Sequence, residues 1–339
     1  MEHLGFPLHT IIVFVIFVIV SLCIDFWGHK SDKVMSLKSA TLWSVFWIAV
    51  SVAFGFFIYK EHGADMASLF FSGYILEKSL SVDNLFVIMA IFTWFKIPQE
   101  YRHRVLYFGI IGAIVFRLIF VAVGSGLFLI GPWVQIIFAL IIIWSAFMMM
   151  RGGDDDDDEI QDYSQHLAYK FVYKYFSVFP KLVGHNFFIN KEEALNEISK
   201  HPNIQFFDRK TLLIATPLFL CLCVIEVSDV MFAFDSVPAV IAISVEPLII
   251  YSAMIFAILG LRTLYFVLEA LKNYLIYLEK AVIVLLFFIA VKISINALNS
   301  LFNIGFEISA SVSLYAIFII LGAGVFLSIL APKKETKTD

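Results

Sequence analysis

Two stretches of the chain carry acidic side chains within otherwise apolar sequence, and the acids follow the same spacing in both. The stretches read GYILEKSLSVDN (73–84) and EVSDVMFAFDSVPA (226–239). A shift of 152 positions superposes Glu77 on Asp229, Asp83 on Asp235 and Asn84 on Ser236. Each stretch therefore contains an acid, a second acid six positions later and then an amide or hydroxyl side chain. The second stretch adds a further acid, Glu226.

Side chains of these types supply oxygen ligands. Hard divalent cations such as Mn²⁺, Mg²⁺ and Ca²⁺ prefer carboxylate, amide and hydroxyl oxygens, whereas zinc and copper favour histidine or cysteine. Neither stretch contains a histidine, and the nearest cysteine is Cys223, one turn before Glu226. The predicted metal ligands are Glu77, Asp83, Asn84, Glu226, Asp229, Asp235 and Ser236. The alternative interpretation is a purely structural network of salt bridges.

Basic side chains lie in the same apolar sequence. An arginine follows each acidic stretch in a similar setting, Arg117 in the first half and Arg262 in the second. An ionisable group at membrane depth costs roughly 2.5–3.5 kcal/mol or more, so such groups need partners. We predict that Arg117, Arg262 and Lys78 have gating or charge-compensating roles, and that Arg117 or Arg262 binds the acids when metal is absent. If protons replace the metal instead, the result is cation/proton exchange. For Lys78 and Lys292, snorkelling or structural pairing is the alternative.

Membrane-spanning helices are the elements that must position these residues. The chain has 339 residues, of which 61% are hydrophobic and 15% charged, and its mean hydropathy is +0.90. A soluble protein would carry about a quarter charged residues, and the apolar runs are long enough to span a bilayer. We predict an all-α polytopic membrane protein with nine spans, near 9–28, 38–59, 67–95, 104–123, 126–150, 211–243, 247–268, 277–298 and 308–331.

Lysine and arginine are concentrated on one side of the predicted membrane. Nine spans divide the loops into two sets. The set that includes the C-terminal tail holds 19 of the 24 basic residues, and the other set holds only Lys60. By the positive-inside rule, the basic set is cytoplasmic. We therefore predict a multi-pass protein of the cell inner (plasma) membrane with its N-terminus outside and its C-terminus in the cytoplasm.

The two acidic stretches fall on the third and sixth predicted spans, which cross the membrane in opposite directions. This predicts an inverted three-helix repeat, as in secondary transporters, whose substrate site lies near the midplane on interrupted helices. Glu77 and Asp83 would point about 120° apart on an unbroken helix, and Pro238 removes a helix hydrogen bond, so interruptions are predicted in both stretches. The predicted units are 1–66 with two helices, 67–150 with the first repeat, 151–210 as a cytoplasmic connection, 211–298 with the second repeat, and 299–339 with the last helix and a cytoplasmic tail.

The cytoplasmic connection contains an acidic run and a periodic apolar pattern. Six acids from Asp154 to Glu159 indicate a solvated linker or a weak cation-collecting surface. Beyond them, apolar residues recur at every fourth position, at Leu167, Phe171, Tyr175 and Phe179. This period predicts an amphipathic helix on the membrane surface, or ordinary packing under the bundle.

Asp25 is an acid late in the first predicted span, close to its cytoplasmic end. One interpretation is an interfacial acid at a helix end. The other is an entry ligand at the cytoplasmic mouth of a cation pathway.

The motifs resemble those of a known family. The two acidic stretches, with ATP (215–217) and AILGLR (257–262), are similar to the TerC/Alx family of integral membrane proteins, within the LysE-type transporter superfamily, and the resemblance covers nearly the whole chain. It implies manganese homeostasis, chiefly export from the cytoplasm, and an association with tellurite resistance. It also implies functional roles for the five acids of the two stretches and an acid at the position of Asp25. The 151–210 connection is longer than the family leads us to expect, so nothing is carried over there.

Two functions follow as hypotheses. The first is a secondary transporter that exports a hard divalent cation, foremost Mn²⁺, from the cytoplasm through a midplane carboxylate site. The alternative is a membrane scaffold that supplies metal to partner proteins, or assembles with them, without net transport. No enzyme is expected, because no nucleophile, base and oxyanion donors converge and no glycine-rich phosphate loop occurs. No cofactor is required. The expected partners are the metal ion and the lipid bilayer, with no nucleic acid, and the sequence leaves open a homo-oligomer or membrane partner proteins.

Overall fold

Helices dominate the fold. The computed structural model describes residues 2–3, 6–28, 35–152, 163–200, 213–244, 246–271, 276–302, 305 and 308–330. The helices are α1 (Leu8–Gly28), α2 (Leu37–Trp94), α3 (Gln99–Phe128), α4 (Pro132–Gly152), α5 (Leu167–Tyr175), α6 (Lys191–Lys200), α7 (Pro217–Ile241), α8 (Pro247–Ile258), α9 (Leu261–Leu271), α10 (Ile276–Phe302) and α11 (Ala310–Leu330). The strands have two residues each: β1 (Glu2–His3), β2 (Phe6–Pro7), β3 (Ser177–Val178), β4 (Phe188–Ile189) and β5 (Ile214–Ala215). A 3₁₀ turn covers Tyr163–Gln165.

The helices that can cross a membrane are fewer than the nine predicted spans. By length and composition, six of the described helices qualify, namely α1, α2, α3, α7, α10 and α11. The pair α8 and α9 makes a seventh if its 51° bend lies within one span. α2 counts once although it covers two predicted spans, and Pro132–Trp144 of α4 counts among the shorter apolar helices of the described residues. The class of all-α polytopic membrane protein is confirmed, whereas the number nine stays a prediction.

α2 is 58 residues long and is kinked at Gly63. Gly63 has φ 87° and ψ 179°, a backbone conformation that glycine adopts without steric cost. The predicted spans 38–59 and 67–95 lie on either side of it. The start of α1 packs against this kink, because Thr10 Oγ1 lies 2.9 Å from His62 Nε2 and the Phe6 ring meets the His62 ring edge-on.

A helix break occurs between α8 and α9, and the acidic stretches are continuous. Gly260 has φ 76° at this break. Lys78 Nζ donates to the carbonyl oxygens of Ala257 (2.9 Å) and Leu259 (3.0 Å), which satisfies the free carbonyl end of α8. The predicted interruptions are wrong, since α2 is helical through 73–84 and α7 through Pro238. Pro238 has no N–H to donate within α7, yet the backbone stays helical to Ile241.

We expect Gly260→Ala to destabilise the protein. A left-handed backbone costs a non-glycine residue about 1–2 kcal/mol, and a Cβ at Gly260 would also overlap the buried Trp47 side chain. The apparent melting temperature of the detergent-purified protein should therefore fall by about 5 °C. Gly63→Ala is the matched control, since its φ is also positive but nothing lies within 4 Å of its added Cβ. Equal falls in both variants would contradict a contribution from Trp47.

The helices pack in pairs that join the two halves of the chain. α3 packs against α7, α4 against α10, and α2 against α8 and α9. Buried apolar residues such as Leu76, Val121 and Val237 fill the space between them. The outward faces carry exposed apolar side chains, for example Trp144 and Ile319. Helices that are apolar on their outer faces as well as inside are typical of a membrane protein.

The described part of the 151–210 connection contains α5, α6, β3 and β4, and the two strands form a small sheet with β5, which directly precedes α7. β5 pairs in parallel with β3 and antiparallel with β4. This sheet was not predicted, because strands of two residues are too short to show alternation of apolar and polar residues. The acidic run 154–159 lies outside the described residues.

α5 forms where the apolar period predicted a helix. Ala168 and Val172 are buried, and α5 contacts α7. The side chains exposed on its other face are Leu167, Phe171 and Tyr175. Phe179 is fully buried and follows β3, so its inclusion in the helical pattern is wrong.

Candidate functional site

Arg117 joins the two acidic stretches. It lies within α3 and is 2% exposed. Its guanidinium forms an ion pair with Glu77 of α2 and another, at 3.2 Å, with Asp229 of α7. Glu77 is completely buried. These ion pairs connect α2, α3 and α7 at one point. Because an uncompensated buried charge is costly, removing any one partner should destabilise the contact.

Two polar side chains of α2 complete the surroundings of Arg117. The Asn84 amide is assigned so that its nitrogen donates to the Leu80 carbonyl (3.2 Å) and its oxygen accepts from Arg117 Nη2 (3.3 Å). Ser81 Oγ donates to Glu77 Oε1 at 3.5 Å. Three predicted metal ligands, namely Glu77, Asn84 and Asp229, thus contact one guanidinium.

Glu226 lies one turn before Asp229 on α7 and faces α3. Its carboxylate rests against Gly112, where an added Cβ would overlap it. Glu226 Oε2 is buried without a hydrogen-bond partner among the described residues, and the same holds for Glu77 Oε2 and Asp229 Oδ2. Arg117 pairs with two of these acids, whereas Glu226 has no basic partner among the described residues, so a cation or a proton would offset the excess negative charge. We call Glu77, Arg117, Glu226 and Asp229 the acid cluster.

A cavity of about 30 Å³ adjoins the acid cluster. Its polar lining comes from Ser81, Asn84, Asp229 and Arg262. A cavity needs roughly 10–15 Å³ to hold a water molecule. This one therefore has room for a water molecule or a metal ion beside the Asp229 carboxylate.

Arg262 pairs with an acid of the first helix. Its Nη2 donates at 2.9 Å to both Oδ1 and the backbone oxygen of Asp25. Both residues are buried. The two arginines that were predicted to offset the acids therefore have different partners. Since Arg262 also lines the cavity, its pair with Asp25 connects the end of α1 to the candidate site.

The remaining predicted site residues either lie apart from the acid cluster or have side chains that the structure does not describe. Asp83 and Asp235 lie in α2 and α7, but their side chains are not among those described. Ser236 is buried, and Lys78 binds the carbonyl end of α8. Among the described side chains, no group of three or more histidine, cysteine or acidic residues could hold a metal ion.

Two features of this site were not predicted from the sequence. The role of Gly112 was not predicted, although a glycine inside an apolar helix indicates a close approach. The pairing of Asp25 with Arg262 was also missed. It joins residues 237 positions apart, which no local pattern connects.

Charged side chains buried inside a bundle of long apolar helices define an integral, multi-pass helical membrane protein. The chain belongs to the integral membrane protein TerC family, whose sequence model matches residues 62–336. The match covers the acidic stretches and all the residues of the acid cluster.

Curated relatives cover nearly the whole chain. The tellurium resistance protein TerC of Serratia marcescens is 58% identical over 340 residues, which are 99% of this chain and 98% of that protein. The tellurium resistance protein TerC of an Alcaligenes species is 58% identical over 98% of this chain and 96% of its own. The chloroplastic thylakoid membrane protein TERC of Arabidopsis thaliana is 37% identical over 83% of this chain and 66% of its own. No solved structure matches the chain.

Proposed function

We propose that the protein is a secondary transporter that exports a hard divalent cation, foremost Mn²⁺, from the cytoplasm. The observation that carries this proposal is the acid cluster, in which Arg117 pairs with Glu77 and Asp229, and Glu226 lies one turn from Asp229. Each of the three acids has a buried oxygen without a hydrogen-bond partner among the described residues. A divalent cation in the adjoining cavity would offset the excess negative charge. This arrangement favours cation transport over enzyme catalysis.

Arg117 supplies a positive charge to the acid cluster. Its guanidinium donates to oxygens of the same types that Mn²⁺ coordinates. A metal ion entering the cavity competes with it for Asp229 and Asn84. Protons that bind the acids when the metal leaves would restore neutrality, which gives exchange of a cation for protons.

Helix packing supports the predicted inverted repeat. The repeat relates the second segment of α2 to α7, α3 to the α8–α9 pair, and α4 to α10. When each helix is replaced by its counterpart, the contact of α2 with α8 and α9 becomes the contact of α7 with α3, which is also observed. The contact of α4 with α10 is unchanged by the replacement. Contacts that exchange in this way are expected when a two-fold axis relates two units.

Contacts on both sides of the acid cluster suit alternating access. On the side that the charge distribution predicts to be cytoplasmic, the ion pairs are Asp25–Arg262 and Arg102–Glu269. On the other side, α3 and α7 pack closely, because a Cβ at Gly124 would meet Ile241 and Val237. Opening one set of contacts at a time would expose the cavity to one side only. This mechanism retains the predicted inner-membrane location and cytoplasmic C-terminus.

The alternative function is a membrane scaffold that supplies metal to partner proteins or assembles with them. The exposed apolar face of α5, formed by Leu167, Phe171 and Tyr175, favours it as a contact surface. Two relatives carry the name tellurium resistance protein, and a scaffold role in such resistance needs no transport.

Flux measurements distinguish the two functions. We expect the purified protein in proteoliposomes to move Mn²⁺, with a rate that responds to a pH gradient. Asp229→Asn and Asp235→Asn should lower the rate at least tenfold, because each removes a charged ligand worth about 1.5–3 kcal/mol. Asp65→Asn, which changes an exposed acid near the α2 kink, is the matched control and should keep the rate. Flux that survives in both site variants would reject the acid site, and a folded wild type without flux would favour the scaffold.

A further inference from the structure

A second polar cavity lies at the other end of the bundle from the Asp25–Arg262 pair. Its volume is about 470 Å³. It is bordered by the ends of α3, α7 and α10 and by the starts of α4, α8 and α11. In the predicted orientation, this end faces away from the cytoplasm. The cavity shares no lining residue with the acid cluster, and its role does not depend on the proposed transport function.

Lys292 provides a positive charge in this cavity. It lies on α10, lines the cavity and is only 3% exposed. Among the described residues, Nζ has no hydrogen-bond or ion-pair partner. A buried ammonium is costly unless it is paired, so an anionic ligand would stabilise it.

The neutral side chains of the lining direct hydrogen-bond donors into the cavity. Three of them each accept one hydrogen bond from a backbone N–H group. Asn296 Oδ1 accepts from Ile308 N (3.2 Å), Ser244 Oγ from Glu246 N (3.1 Å) and Ser309 Oγ from Val312 N (3.4 Å). The Asn296 amide nitrogen and the two hydroxyl hydrogens remain to donate. These donors together with the Lys292 ammonium suit the oxygens of an anion.

Glu246 is the one acid among the described lining residues. It is half-buried at the start of α8, and its side chain does not cap that helix. Its carboxylate repels an anion, so removing its charge should strengthen binding. Removing the charge of Glu246 and removing that of Lys292 should therefore change the anion affinity in opposite directions.

We infer that this cavity binds a small oxyanion, of the sulfate or phosphate type, through Lys292 and the donors of Asn296, Ser244 and Ser309. The volume accommodates such an anion together with several water molecules. A free inorganic anion and the phosphate of an anionic lipid headgroup share this chemistry.

Calorimetric titration of the full-length protein tests the inference. In neutral detergent, sodium sulfate and sodium phosphate are compared with sodium chloride at matched ionic strength. Nanodiscs of phosphatidylcholine, with and without phosphatidylglycerol, then show whether an anionic lipid occupies the same site and competes with sulfate. We expect saturable binding of the free oxyanion, or its displacement by the anionic lipid.

Three variants and one control assign the binding to the cavity. Lys292→Gln should weaken binding at least tenfold, as expected for loss of a charge-assisted hydrogen bond. Asn296→Asp keeps an oxygen to accept from Ile308 N, so the fold is retained, but it replaces the donor by a negative charge and should also abolish binding. Glu246→Gln should tighten binding. Lys280→Gln, an exposed lysine on the same helix, should have no effect.

Two results would overturn the inference. One is the absence of saturable binding of any oxyanion or anionic lipid by the wild type. The other is binding that Lys292→Gln and Asn296→Asp leave unchanged. Binding of Mn²⁺ that Lys292→Gln strengthens and Glu246→Gln removes would instead assign the cavity to cations.

Discussion

Replacing Arg117 with glutamine should lower the apparent melting temperature of the metal-free protein by about 6–10 °C. Arg117 is the cation that pairs with Glu77 and Asp229 in the interior. Breaking a buried ion pair by removing one partner costs about 3–5 kcal/mol, because the other charge is left uncompensated. For a chain of this size, each kcal/mol corresponds to roughly 2 °C. The measurement is thermal unfolding in detergent with a chelator present, at a fixed scan rate.

A second variant and an added metal separate charge compensation from simple packing loss. Glu77→Gln combined with Arg117→Gln should be less destabilised than Arg117→Gln alone, because removing both charges leaves less charge unpaired. Mn²⁺ should raise the melting temperature of Arg117→Gln more than that of the wild type, since the metal takes the place of the guanidinium. Arg104→Gln on the same helix, whose guanidinium lies over the Phe187 ring, is the control. Equal losses in Arg104→Gln and Arg117→Gln would refute the central role of Arg117.

Gly112→Ala should weaken Mn²⁺ binding by about 10–100-fold while the protein remains folded. The added methyl group would fall on the Glu226 carboxylate, which must then move away from α3. Displacing one charged ligand costs about 1.5–3 kcal/mol of binding free energy. The readout is the dependence of the melting temperature on Mn²⁺ concentration, which reports affinity for the folded state.

The same helix offers a matched control for this substitution. Nothing lies within 4 Å of a Cβ added at Gly126. Gly126→Ala should therefore leave Mn²⁺ affinity unchanged and stabilise α3 by about 0.5–1 kcal/mol, because alanine loses less backbone entropy than glycine. If Gly112→Ala binds Mn²⁺ as tightly as Gly126→Ala, Glu226 is not a ligand.

The contrast between Arg117 and Arg262 shows how far sequence reasoning reached. Both follow an acidic stretch in a similar apolar setting, and both were predicted to offset the acids. In the structure, Arg117 contacts Glu77 and Asp229, whereas Arg262 contacts Asp25. The need for a partner could be predicted from the cost of a buried charge. The choice of partner depends on how each helix is rotated against its neighbours, which is a tertiary property.

The positions of the helix breaks were also not predictable from local sequence. The orientation of acids six positions apart favoured a break in each acidic stretch. The protein instead keeps α2 and α7 intact there and gathers acids from both helices around Arg117, with the break at Gly260, where Lys78 satisfies the carbonyls of α8. Several helices can supply one site, so spacing along a single helix does not require a kink.

The sequence alone determined that this protein is a polytopic helical membrane protein of the TerC family, and that its acids lie within the apolar runs. Hydropathy over a run and the cost of a charge in it are local properties, which can be read from residue order. Only the tertiary structure decided which acids share an arginine, that Gly112 brings α3 against Glu226, and that a donor-lined cavity surrounds Lys292. Those features depend on contacts between helices far apart in the chain, where shape and charge must match in three dimensions.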